Sequence, residues 1–215
     1  VTDRDTLHID GDTLAIALMS GIHRVVSQQE YLNRINVFPV ADSDTGTNLS
    51  LSLSSALGVL THESEKHLGT MLASTADALL DGARGNSGAI VAQFFQGVSD
   101  SAGEITRFTT YTFAKAIKLG AEYAHDALSE PREGTILTVI TAFADSVTYQ
   151  ASKNPESSFS DIIEHARLTV DEAVANTPKQ LDVLRKAGVV DAGAKGFAEL
   201  VTGIADYLSR GHITP

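Results

Sequence analysis

The chain has 215 residues and a formal charge of −11, from 16 Lys and Arg against 27 Asp and Glu. That length gives one large domain with a substantial core, and that charge argues against nucleic acid and anionic membrane as partners. Cysteine is absent, which excludes disulfides, thiolate zinc sites and cysteine nucleophiles.

No apolar run reaches the roughly 18 residues that a membrane span needs, so no integral membrane contact is expected. No signal peptide opens the chain, and the cytoplasm is the expected compartment. Because the first residue is Val1 rather than Met, the sequence reads as a piece of a longer protein. Residues 1–12 are expected to be an extension or linker, 13–210 one domain, and 211–215 a tail or the start of a linker.

Helical periodicity governs the chain. Trp is absent and aromatics are only 6%, so the core must be built from Ala, Leu, Ile and Val, which suits helix packed on helix. Leu14, Leu18, Ile22, Val25 and Val26 share one face, with Asp12 as the expected N-cap. Helical stretches then follow at about Asn48–Leu60, His67–Leu80, Ser87–Val98 and Phe108–Leu128. Ile136, Val139, Ile140, Phe143 and Val147 mark another. Ile163, Ala166, Val170 and Val174 mark the next, and Phe197, Leu200, Val201, Ile204 and Leu208 the last. About eight substantial helices result, with few strand signals. Short loops between them favour antiparallel neighbours.

Four loops carry the polar chemistry. The first is Asn36-Val-Phe-Pro-Val-Ala-Asp42-Ser-Asp44-Thr45-Gly46-Thr47-Asn48. Two carboxylates one residue apart on a turn can converge on hard cations, and Mg²⁺ completes its oxygen shell with water and phosphate. The helix that follows offers free N–H groups and a partial positive charge, which suit phosphate. Simple helix capping by Asp44 or Thr47 would produce the same residues.

The second loop is Gly82-Ala-Arg84-Gly85-Asn86-Ser87-Gly88. Its glycines allow close backbone approach, and Asn86 and Ser87 can cap a helix or bond a phosphate oxygen. It is not a P-loop, because the Gly-Lys-Ser/Thr ending is missing. The third is Pro131-Arg-Glu-Gly134-Thr135, and the fourth Gly188-Val-Val-Asp191-Ala-Gly193-Ala-Lys195-Gly196. Each opens a helix, and capping is again the plain alternative. If the four helix starts lie at one end of the bundle, they form a polar rim. Arg84, Arg132 and Lys195 are the cations of these loops, so bound phosphate there would need metal ions. No Ser-His-Asp or Cys-His arrangement is evident. The histidines are scattered, and His23 and His165 read as helix-face or core residues rather than ligands.

The four strings in order resemble the signature of the DAK2 (DhaL-like) domain, the nucleotide-binding part of dihydroxyacetone kinases and bacterial fatty acid kinases. The resemblance runs from about Thr13 to Leu208. It implies an all-α fold, an antiparallel eight-helix barrel with Mg-nucleotide at one end. It implies ATP or ADP and two Mg²⁺ ions as cofactors. Asp42 and Asp44 fall on the metal-binding and catalytic aspartates, and Asn36 on the place of a third metal ligand, where dihydroxyacetone kinases carry an acid. Thr45, Gly46, Thr47, Asn48, Gly85, Asn86, Ser87, Gly88, Gly134, Thr135, Asp191 and Gly193 are the implied nucleotide-binding residues. Ser43 stands where the family usually has Gly.

The form of the first two strings points to the fatty-acid-kinase branch. There a DegV-type protein or fused domain presents the carboxylate that becomes an acyl phosphate. A dihydroxyacetone-kinase L-type domain is the second reading, and a nucleotide-binding regulatory module without turnover the third. A homodimer is left open.

Overall fold

A computed structural model describes residues 7–62 and 67–210; residues 1–6 and 211–215, half of the expected extension and all of the expected tail, lie outside the described residues. The chain folds in the order β1 (His8–Asp10), α1 (Gly11–Ser27), α2 (Gln29–Ile35), α3 (Thr45–Ser54), α4 (Leu57–His62), α5 (Leu68–Gly82) and α6 (Gly85–Ala102). It continues with β2 (Arg107–Thr109), α7 (Thr110–Asp126), α8 (Ile136–Lys153), α9 (Phe159–Gln180), α10 (Asp182–Ala187) and α11 (Ala192–Arg210). Eight of these helices have ten residues or more, and they form the all-α, eight-helix barrel that the family resemblance implies.

The periodic apolar positions are the buried ones. Leu14, Leu18, Ile22 and Val25 of α1 are all buried, as are Ile136, Val139, Ile140, Phe143 and Val147 of α8. Neighbours in sequence pack side by side from α5 through α9; α11 lies against α9, α8 and α1, and α3 contacts α1, α5, α6 and α11. Two crossings bring backbones together. A Cβ on Gly203 of α11 would lie 2.5 Å from the Cα of Gly21 in α1, and one on Gly97 of α6 would lie 2.7 Å from the Cα of Gly120 in α7.

Of the eight phenylalanines, seven are buried, Phe38 being the exception. Phe94, Phe197 and Phe143 meet edge to face, as do Phe108, Phe113 and Phe159, with centroids 5.3–5.7 Å apart. Each such pair adds about 0.5–1.5 kcal/mol beyond burial. The few aromatics thus still contribute seven residues to the core.

Several boundaries differ from the periodic reading. α1 is capped by Asp10, whose Oδ1 accepts from Thr13 N at 2.9 Å, while Asp12 sits in the first turn. The stretch 48–60 is two helices, not one, because the Ser55 hydroxyl reaches the carbonyls of Ser52 and Ala78 where α3 ends. Phe108 belongs to β2, which pairs antiparallel with β1 and holds residues 8–10 within the fold. His23 and His165 lie on exposed helix faces, not in the core. No described helix is long and apolar enough to cross a membrane.

Candidate functional site

The four polar loops converge. The starts of α3, α6, α8 and α11 line one open cavity of about 600 Å³, with Asn36, Asp42, Asp44, Thr45 and Asn48 on one side. Gly85, Asn86 and Ser87, the charged residues Glu130 and Arg132, Thr135, and Asp191 with Gly193 complete its polar wall, while Phe38, Pro39, Val40, Ile90, Leu128 and Ile136 supply apolar lining.

The loop between α2 and α3 is held by two asparagines. Asn36 closes α2 and is buried; its Oδ1 accepts from Asp44 N and Thr45 N, and its Nδ2 donates to the carbonyls of Phe38 and Val40. Asn33, one turn earlier, accepts from Thr47 N at 3.0 Å and donates to Thr47 Oγ1 at 3.0 Å, and Gln29 donates to the same hydroxyl. Between the aspartates, Ser43 has φ of 58°, a left-handed conformation that favours glycine. Asp42 and Asp44 are exposed. Although Asp44 occupies the N-cap of α3, its side chain makes no capping hydrogen bond. Its carboxylate, like that of Asp42, therefore remains open as a hard oxygen donor.

The first turn of α6 is tied to α3 from behind. Arg84 N donates to Ser52 Oγ at 2.9 Å, and a Cβ on Gly88 would meet that same oxygen at 2.3 Å. Gly85 has φ of 65°, and a Cβ there would sit 2.7 Å from Asn48 Nδ2. The N-cap residue Arg84 offers α6 no side-chain cap. Helix geometry leaves the first amides without an internal acceptor. Among the described residues, the amides of Gly85, Asn86 and Ser87 meet none from elsewhere either.

The starts of α8 and α11 are occupied by the protein itself. Thr135 accepts from Leu137 N and donates to Arg132 O. Asp191 is 4% exposed, and its Oδ2 accepts from Ala194 N at 2.9 Å. Burial pushes this carboxyl up to about 6, against the opposing pull of the amides of Ala194, Gly193 and Ile136. Behind it stands Thr177. Pro178 sits inside α9 and has no N–H to give to the carbonyl four residues earlier. The Thr177 hydroxyl donates to that Val174 carbonyl at 2.8 Å and accepts from Asp191 N at 3.1 Å.

Four of the expected residues stand behind the cavity rather than in its wall. Gly46 lies against the Gln29 carbonyl, Gly88 against Ser52, and Gly134, with φ of 83°, against Thr177, Gln180 and Leu181; Thr47 is bonded to Asn33 and Gln29. The sequence reading missed Asn33, Ser52 and Thr177, which support the site, and Ile90, Leu128 and Glu130, which line it. Pro178 was the available signal for Thr177, since an internal proline always orphans a carbonyl.

A divalent cation suits the two open carboxylates. Among the described residues no group of three or more His, Cys, Asp or Glu is gathered to hold a metal. An ion here would therefore complete its shell from water and a ligand's oxygens, as Mg²⁺ ordinarily does.

Residues 39–206 match the family model of the DAK2 domain. An uncharacterized protein of Staphylococcus saprophyticus is 35% identical over 203 residues, covering 93% of this chain and 36% of that protein. An uncharacterized protein of Staphylococcus aureus is 34% identical over 200 residues, with the same shares. The chain thus spans about a third of the length of these relatives. Among solved structures, a dihydroxyacetone kinase from C. freundii in complex with AMP-PNP and Mg²⁺ superposes with a TM-score of 0.66 at 16% identity, over 89% of this chain and 33% of that one. At that identity the likeness shows the fold.

Proposed function

The chain belongs to the DAK2 domain family, and from that premise and its cavity we propose that it is the Mg-ATP-binding domain of a phosphotransferase. One observation carries the reading: a single cavity sets two unpartnered carboxylates, Asp42 and Asp44, beside the open amides of Gly85, Asn86 and Ser87. Amides at a helix start bind phosphate oxygens, and carboxylates repel them unless a cation intervenes. The two features together suit a metal-bridged polyphosphate better than either a free metal or a free anion.

Bound there, a divalent cation would neutralise phosphate charge during transfer. The chain's own residues orient the nucleotide. The α6 amides hold phosphate oxygens, and the half-buried Phe38 and Leu128 offer apolar surface to the base. Asp191 fixes the starts of α8 and α11 so that the cavity is formed before the ligand arrives. Phosphoryl transfer of this kind depends on positioning and charge neutralisation rather than on a protein nucleophile.

The acceptor we favour is a fatty acid carboxylate, giving an acyl phosphate. The Asn36-Val-Phe-Pro-Val form of the first loop supports it, and the exposed apolar lip of Pro39 and Val40 would suit an acyl-bearing surface. Most of the length of the relatives lies outside the matched region, so a fused or separate DegV-type component is the proposed source of the acid. A dihydroxyacetone-kinase L-type role is the second reading, favoured by the shared fold.

Titration with a fluorescent ATP analogue tests the nucleotide reading. Asp42→Ala and Asp44→Ala are each expected to weaken Mg-dependent binding at least 100-fold, about 2.7 kcal/mol, while the helical circular dichroism stays unchanged. Undiminished affinity in either variant would remove the metal assignment. Acyl phosphate formation with a DegV-type partner, set against phosphorylation of dihydroxyacetone, decides between the two acceptors.

A further inference from the structure

The resemblance puts a third metal ligand at Asn36, but the hydrogen bonds of this chain give that residue different work. Asn36 is 3% exposed. Its Oδ1 accepts from Asp44 N and Thr45 N, both at 3.1 Å. Its Nδ2 donates to Phe38 O at 3.3 Å and Val40 O at 3.2 Å. A carboxamide has two lone pairs on oxygen and two protons on nitrogen, so all four are engaged within the loop. A ligand oxygen needs a lone pair directed at the ion, and this one has none to spare.

We propose that Asn36 is a positioning residue that shapes residues 37–45 and so aims Asp42 and Asp44 into the cavity, leaving a cation site built on two carboxylates. The inference rests on the reading that Asp42 and Asp44 hold a divalent cation with ATP. The four bonds grip the loop at both ends, with two carbonyls before the aspartates and two amides at and after Asp44. That grip also supports the left-handed backbone of Ser43, a conformation that persists only where its surroundings impose it. An aspartate at position 36 could accept from Asp44 N and Thr45 N. It could not donate to Phe38 O and Val40 O, and its charge would face both carbonyls.

The two roles predict opposite signs for one substitution. A ligand gains from Asn36→Asp, because an anionic oxygen binds Mn²⁺ better than an amide oxygen. A positioning residue loses, because half of its bonds vanish. Mn²⁺ binding in the presence of ATP, followed by electron paramagnetic resonance, is therefore compared between wild type and Asn36→Asp, with the melting temperature recorded for each. At least tenfold weaker Mn²⁺ binding in a variant that still melts cooperatively is the expected result. Equal or tighter binding would overturn the positioning role alone. Failure of the wild type to bind Mn²⁺ with ATP would overturn the parent reading and this inference with it.

If Asn36→Asp does not fold, the wild type itself decides. The side-chain NH₂ protons of Asn36 are expected to exchange slowly with solvent in metal-free protein and to stay slow when Mg²⁺ and ATP are added. Loss of that protection on adding Mg²⁺ would show the amide turning to the ion and would contradict the proposal.

Discussion

Asp191 is the residue whose protonation the fold alters most plainly. Its carboxyl is raised from an ordinary value of 3.8 to about 6, chiefly by burial. Between those values the folded protein keeps a proton that the unfolded chain has released. Stability contributed by this group therefore falls as pH rises from about 4 to 6 and is recovered on acidification through the same window. In Asp191→Asn that slope should vanish. Urea unfolding of the ligand-free protein at pH 4 and pH 6.5 checks this. Wild type should lose on the order of 2–3 kcal/mol relative to the variant across the window, and parallel pH profiles would show that Asp191 is not buried as described. The residue types of the site were legible in the sequence because they cluster in four short strings, Asp42 and Asp44 among them. The work of Asn36 was not, because it depends on a loop closing back over eight residues onto Asp44 N.

At the scale of elements, the site depends on how one helix ends and another begins. Pro178 leaves the Val174 carbonyl of α9 without its usual donor, and one Thr177 hydroxyl serves both that carbonyl and the amide of Asp191. Thr177 is fully buried. Thr177→Val conserves shape but strands two buried backbone groups, at about 1–3 kcal/mol for an unsatisfied group. The expected destabilisation in denaturant is about 2 kcal/mol or more, largely restored by Thr177→Ser, and a variant as stable as wild type would refute this linkage.

Helix existence was readable from apolar spacing, as in α8, where each marked position is buried. Helix ends were less so. Ser55 bonds to Ala78 across 23 positions, and no local pattern announces a break made by a distant strand of chain. The short helices α2 and α10 were likewise missed, being too brief to show a period.

The molecule as a whole joins a barrel of tightly crossing helices to one polar end. Convergence of the four loops was the step the sequence left open, since each string alone is consistent with ordinary capping. The barrel supplies it by placing the starts of α3, α6, α8 and α11 around one cavity. In a chain of charge −11, a polyphosphate approaching Asp42 and Asp44 meets repulsion that a divalent cation removes.

Thermal unfolding with Mg²⁺ alone, ATP alone and both together tests this most directly. A ligand at about a hundred times its dissociation constant stabilises the fold by roughly 2.7 kcal/mol, which for a domain of this size is a rise of about 5–10 °C. That rise is expected only when Mg²⁺ and ATP are both present, and is expected to be lost in Asp42→Ala. An equal rise with ATP alone, or no rise under any condition, would contradict it.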